Sequence, residues 1–452
     1  MADSFHGVIA FAFMVSMILV GTILRARIHL LQTALMPASL LGGIIGFTLI
    51  SLDLSLGFTS DDFLAFAFHF FTLSFMSLVL TGKEPGSADR SIQPGGIWMS
   101  VGWTMSLVLQ ALAGLLVIVL YNEVTGGEIS VFLGMLVTHG FTQGPGQAIA
   151  LGSIWQAEFQ IEDAVRFGLI YASLGFVVSF LVGVPAARYA IRKGLNENTS
   201  ARLTAEFIQG VHDVDSRPTT GKQVTHSANV DSLVFHISIL GVAYLLTHHF
   251  LIFMQSVTGD VLFIGRPVGV YFSHNLFFVH GLIICIILRA LMNRFGYGDY
   301  IDNETQKRIT GSSVDLMMVA TLMGIQFSLL SAYLVPILLV CLTVAVLTAL
   351  LCFLSGRWLS TVPPERAITL FGCCTGSTGS GLLLLRILDP DLTTIVSREL
   401  AYFNVAVLLV SLHILWMMAP ILPTFSIMTI CLVYGATFLV GGVLLRLLAP
   451  RT

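Results

Sequence analysis

Apolar residues recur along the chain in runs of about 20, each long enough to cross the ~30 Å of bilayer hydrocarbon as a helix. The pattern predicts membrane helices at 7–24, 35–52, 63–80, 97–120, 164–190, 233–255, 268–290, 314–330, 333–355, 399–419 and 423–446. Two further apolar stretches, 131–154 and 366–388, carry polar, glycine-rich centres: HGFTQGPGQ at 139–147 and GCCTGSTGSG at 372–381. A lipid-facing helix has no use for such centres. The longest hydrophilic segment, 193–232, is rich in Asn, Asp, Thr and Ser and reads as a cytoplasmic linker between two halves.

Basic residues orient the pattern. With the loop after the first helix placed in the cytoplasm, 20 of the 22 lysines and arginines fall on the inner side, and only Arg166 and Arg266 lie near the outer one. The N-terminus is then outside and the C-terminus cytoplasmic. Under that topology 131–154 begins and ends outside, while 366–388, between Pro363-Pro364-Glu365-Arg366 and Asp389-Pro390-Asp391, begins and ends inside. Two arms of ~10 residues at 1.5 Å per residue reach ~15 Å, about half the membrane. Both segments therefore read as re-entrant hairpins with tips near the midplane.

The halves then match. Each has four helices, a hairpin and one more helix, with the hairpins entering from opposite faces. The fold expected is an all-α polytopic membrane protein. It is an inverted repeat of five transmembrane helices plus a re-entrant hairpin each, with an extra C-terminal helix. Its units are 1–192, the linker 193–232, 233–420 and 421–452. Broken hydrophobic segments at corresponding positions of inverted halves are the pattern of a secondary transporter. Backbone that is not helical survives at that depth only against protein or a water-filled cavity.

Composition agrees: 56% hydrophobic and 10% charged residues leave too little charge to cover a soluble surface. The net charge of -3 says little, because the charges are segregated. The six cysteines form no disulfide framework or metal pattern, and no P-loop or Ser/His/Asp motif is present. An ATP-driven pump and an enzyme are disfavoured. The N-terminus lacks a basic region and an A-x-A site, so no cleaved signal is read.

The candidate chemistry lies at the tips. Hydroxyls and carbonyls of Thr142, Thr375 and Gly376, with the amide of Asn404 in the helix after the second hairpin, suit a hard cation such as Na⁺. Gln143, Gly144, Gly146 and Gln147 in the first hairpin, and Ser377, Thr378, Gly379 and Ser380 in the second, offer amides, hydroxyls and free N–H groups to a substrate carboxylate. The bland reading of the glycines is close helix packing. Arg386 either meets that carboxylate or, as an interfacial residue, pairs with Asp389. Gln326, Asn275 and His274 read as buried polar residues of the second-half helices, and Asp315 as an interfacial residue at a helix start. His69, His139, His236, His248, His249, His280 and His413 lie in or near membrane segments without a metal-ligand spacing.

At these residues the chain resembles the glutamate:sodium symporter family. Met36-Pro37-Ala38-Ser39-Leu40-Leu41-Gly42-Gly43 is similar to its second-helix start, and Phe75 to Glu84 occupies the end of its third helix. Gly144-Pro145-Gly146-Gln147-Ala148 and Gly372 to Gly381 sit where its two glycine-rich hairpins belong, and Leu174-Gly175 to Val184-Pro185-Ala186-Ala187-Arg188-Tyr189 resembles the end of its fifth helix. The resemblance implies a homodimer in a bacterial inner membrane. It also implies Na⁺ as coupling ion, an acidic amino acid as substrate, and a hairpin-containing transport part that moves against a scaffold. The first tip departs from the family's G-G-H-G-T-G, and Ser380-Gly381-Leu382-Leu383 stands where a T-P-T-A-like run is usual, so a divergent branch is indicated. Rival readings are a symporter of hydroxycarboxylates such as citrate or malate, proton coupling through a histidine, and a membrane enzyme or receptor built on His69, His274 and His280.

Overall fold

The computed structural model describes residues 2–81, 94–198, 205–213, 215, 217, 221–263, 265–390 and 392–449. Lys83, Arg90, Arg202 and Arg451 of the charge argument, the end of the Phe75–Glu84 match, and Asp391 lie outside them. The first half runs α1 (Ala2–Arg27), α2 (His29–Thr33), α3 (Ala38–Ser51), α4 (Asp61–Leu80) and α5 (Pro94–Thr125). A broken segment follows, α6 (Val131–Met135), α7 (Val137–Phe141) and α8 (Pro145–Phe159), and then α9 (Ala164–Arg192). The connection carries α10 (Ala205–Gln209). The second half has α11 (Ser232–Thr258), α12 (Phe277–Arg294), α13 (Asn303–Met323), α14 (Phe327–Ala332) and α15 (Leu334–Gly356). A second broken segment, α16 (Pro363–Thr375) and α17 (Thr378–Leu388), precedes α18 (Ile395–Val410) and α19 (Ile427–Leu447). Two-residue strands at Leu262–Phe263 and Arg266–Pro267 make the one ladder among the described residues.

Eight of these helices are long and apolar enough to cross a membrane, and α18 with the turn after it makes a ninth if its 48° bend is taken within one span. The protein is an all-helical, multi-pass membrane protein. α5 and α9 are its most enclosed spans, 67% and 72% buried, whereas α11 and α19 are 22% and 17% buried. The apolar faces of those peripheral helices need no partner in lipid. Both broken segments pack against the enclosed pair.

Several boundaries differ from the hydropathy reading. The helix expected at 314–330 begins at Asn303 and ends at Met323. Its first half is polar, so hydropathy does not register it. It starts because the Asp302 side chain accepts the Thr305 N–H at 2.8 Å, an N-cap. One of its buried polar groups is met by a neighbour: Ser77 Oγ of α4 donates to Gln306 Oε1 at 2.6 Å. Asp315 consequently lies in mid-helix rather than at a helix start. Gln326 stands at the break before α14, outside any helix. Residues 269–276 form two 3-10 turns ahead of α12, and His274 and Asn275 open the membrane span His274–Arg294 in the second of these turns. The helix expected at 399–419 is α18 followed by a π turn, His413–Met418.

The hydrophilic connection is docked where it is described. The Glu197 N–H donates to Glu365 Oε1 at 2.7 Å, and Asn198 Nδ2 to Asp389 Oδ1 at 3.2 Å. Arg25 Nη2 donates to the Phe207 carbonyl at 3.1 Å, and the Lys222 N–H to Asp302 at 3.2 Å.

Candidate functional site

Each broken segment folds back on itself. In the second, Gly372 and Gly381 face each other so closely that a Cβ on Gly372 would fall 2.7 Å from Gly381 Cα. In the first, the rings of Phe132 and Trp155 meet across the pair at 6.3 Å. The break in the first falls at Gly144, whose φ of 86° and ψ of -179° belong to a region that only glycine occupies without strain. Pro145 then starts α8 at the position where a missing N–H costs nothing. Gly146 lets α8 lie on α4, because a Cβ there would collide with the Phe71 ring at 1.8 Å.

The two breaks meet. A Cβ on Gly144 would stand 3.2 Å from the Gly376 carbonyl. The Thr142 hydroxyl lies 2.7 Å from Gln110 Oε1 and 3.2 Å from the Cys374 carbonyl. Gln110 Nε2 lies 2.9 Å from that same carbonyl, 3.0 Å from Thr348 Oγ1 and 3.1 Å from Ser106 Oγ. Gln110 on α5 thus clamps both tips. The sequence reading passed over it, although a lone amide within the apolar run of α5 is a signal in itself.

Two helix starts point into this junction, those of α8 and α17, and neither has a side-chain cap. The first N–H groups of a helix have no acceptor within it. Those of Gly146 and Gln147, and of Thr378, Gly379 and Ser380, are therefore available to an anion. The C-terminal ends of α7 and α16 bring carbonyls to the same place. Gln143 Nε2, His139 Nε2 and Ser380 Oγ are buried with no partner among the described residues. Gln143 Oε1 is 3.1 Å from His139 Nδ1.

The predicted residues divide. Thr142, Gln143, Gly144, Gly146, Thr375, Gly376 and Ser380 are buried at or beside the junction, and Gln147, Ser377, Thr378 and Gly379 are half-buried there. The Thr375 hydroxyl is spent on its own helix, donating to the Phe371 carbonyl at 2.8 Å. Asn404 is half-buried on α18, which packs along α5, and has no hydrogen bond to either tip among the described residues. Arg386 is not at the tip. It is exposed in the last turn of α17, nine residues past Ser377, or roughly 13 Å of helix.

The histidines disperse to separate partners. His69 Nδ1 meets Tyr244 Oη at 2.6 Å, His274 Nε2 meets His248 Nδ1 at 3.0 Å, and His280 Nδ1 lies 3.1 Å from the Leu276 carbonyl. No group of three potential metal ligands exists among the described residues. Arg166 and Asn275 line a cleft of about 470 Å³ with Asp61, Asp163, Ser153 and Gln156. Arg166 reaches Asp163 at 3.5 Å and Asp61 at 3.7 Å.

Two buried contacts at the base of the second segment also escaped the sequence reading. Arg366 forms a bidentate pair with Glu399, Nε and Nη2 each at 2.7 Å, and donates through Nη1 to the Thr361 carbonyl at 2.6 Å. Asp389 accepts the N–H groups of Thr394 at 2.8 Å and Thr393 at 3.1 Å. Burial works against its charge, but these N–H groups and Asn198 outweigh it and hold the carboxyl below its ordinary range.

A profile of the family described as sodium/glutamate symporter matches residues 4–359, ending before the second broken segment. No curated protein matches the chain.

Proposed function

Because the chain belongs to the sodium/glutamate symporter family, we propose that it carries a small acidic solute, most directly glutamate, through the junction of its two broken segments, driven by Na⁺. The observation that carries this reading is the meeting of the tips around Gln110, with two uncapped helix starts and two carbonyl-rich helix ends converging. Helix starts favour a carboxylate and helix ends a cation, so the arrangement suits joint occupancy. Buried, unpartnered Gln143 Nε2 and Ser380 Oγ are polar atoms that a ligand would satisfy.

An inverted repeat fits the packing. α3 packs on α13 while α12 packs on α4, and α4–α13 and α5–α15 pair across the halves, as a two-fold relation would produce. We take 1–192 and 233–420 as the repeats, 193–232 as a linker and the segment carrying α19 as an addition. Alternating access by motion of the hairpin-bearing bundle follows from that reading. Coupling requires that each ligand raise the affinity of the other by the same factor.

Thermal melting of the detergent-purified protein in NaCl against KCl, with glutamate, citrate and malate, tests this. A Na⁺-dependent stabilisation by glutamate is expected, by mass action. Gln110→Leu, which removes the clamp on both tips, should weaken it at least tenfold. Stabilisation by citrate alone would favour the hydroxycarboxylate reading instead. Failure of every solute in both salts would sink the proposal.

A further inference from the structure

We infer that Asp315 and Ser39 form the charged half of the cation site, completed by the open second tip; this deepens the symport reading and rests on it. Asp315 stands 12 residues into α13, roughly 18 Å along a helix of 21 residues, near its middle. The Ser39 hydroxyl, buried at the start of α3, donates to Asp315 Oδ1 at 2.8 Å. No lysine, arginine or histidine pairs with Asp315 among the described residues. An ionised carboxylate in the middle of a helix of a membrane protein calls for a compensating charge. Ser39 supplies a hydrogen bond but no charge.

Val314, the residue before Asp315 and about 100° round α13 from it, meets the second tip. Val314 Cγ1 would lie 3.6 Å, and Ser377 Oγ 3.3 Å, from a Cβ on Gly379. Ser377, Thr378 and Gly379 are the half-buried part of the second tip, and Asp315 itself is exposed rather than packed. An accessible carboxylate, a buried hydroxyl and a hydroxyl-bearing tip on three separate elements give a hard, all-oxygen donor set. That chemistry takes a small monovalent cation such as Na⁺. It also supplies a reason for coupling, because a cation held between α13 and the second tip would fix the tip in its solute-binding arrangement.

Na⁺ titrations of melting temperature, without solute, are run on the wild type, Asp315→Asn and Ser39→Ala. Asp315→Asn keeps the side chain's shape and should abolish the Na⁺-specific shift while leaving the melting temperature in KCl near that of the wild type. Ser39→Ala should keep the shift but need several-fold more Na⁺. A full Na⁺ shift in Asp315→Asn overturns the assignment. So does an uptake that Asp315→Asn abolishes but that depends on pH and not on Na⁺, since the group would then carry a proton. If the wild type itself shows no Na⁺ shift yet transports glutamate, Na⁺ coupling fails and this site fails with it. If Na⁺ shifts the wild type but not Asp315→Asn and no acidic solute binds, the cation site stands and the substrate reading falls.

Discussion

The two broken segments differ at their tips and in what holds their bases. The first is closed at its tip: every residue from 133 to 146 is buried, and the turn at Gly144 admits only glycine. Its base is held by neutral groups, Trp155 Nε1 donating to the Ala419 carbonyl and Asn122 Nδ2 to the Ile129 carbonyl at 2.8 Å each, beside a cleft in which Arg166 reaches two aspartates no closer than 3.5 Å. The second is open at its tip, where Ser377, Thr378 and Gly379 are half-buried. Its base is locked by the Arg366–Glu399 pair, whose side chains are 3% and 1% exposed, and by the contacts of Glu365 and Asp389. The difference teaches where adaptability can reside. Both bases are fixed, one by neutral hydrogen bonds and one by a buried ion pair, so the freedom to reshape resides in the second tip.

The largest test attacks the locked base. Glu399→Gln leaves the Arg366 charge buried without its partner, which costs about 3–5 kcal/mol. The melting temperature should fall sharply, or the protein should fail to accumulate. Replacing both residues together by Met and Leu should recover most of the loss, because no orphaned charge remains. Melting of the single variant within a degree or two of wild type would show that the base is not locked by this pair.

A smaller contrast compares the tips. Gly144→Ala forces a side chain into a glycine-only conformation, at about 1–3 kcal/mol. Gly379→Ala meets nothing closer than 3.3 Å and should be nearly neutral for stability. Equal melting of the two variants would erase the distinction between a closed and an open tip.

The smallest effect is a pH dependence. Asp389 is held below its ordinary value in the folded protein, so the stability it adds is present above about pH 4 and disappears as pH falls through the depressed folded value. The melting-temperature gap between wild type and Asp389→Asn should therefore be constant near neutrality and shrink below about pH 4. A gap that widens on acidification would contradict the hydrogen-bond assignment.

The sequence made the spans legible because an apolar run is a requirement of the bilayer, and the breaks legible because glycine, proline and polar residues cluster at the middle of two apolar runs. The polar start of α13 was not, since hydropathy cannot register a helix whose first turns are polar and are set by a cap at Asp302. That displaced Asp315 from the middle of a helix to an apparent edge. Asp302 ahead of Asn303-Glu304-Thr305 was the capping signal that could have corrected it. Of the candidate site, the tip residues were readable from composition alone. Gln110, Arg366 and Glu399 take their roles from partners distant in the chain, and one sequence does not encode that pairing visibly. Arg386 drew attention by its place near the glycines, but the helical rise carries it away from them.

The bond from Thr142 to the Cys374 carbonyl spans 232 residues of chain. At about 5–20 residues per second the ribosome needs on the order of ten to fifty seconds to make that stretch. During biosynthesis the first segment therefore enters the bilayer before the acceptor exists. Its hydroxyl and amides must be shielded by water, by α5 or by the insertion machinery until the later half arrives. The junction acquires its polar partners only once Cys374 has been made, and Trp155 of the same segment waits longer still, for the Ala419 carbonyl.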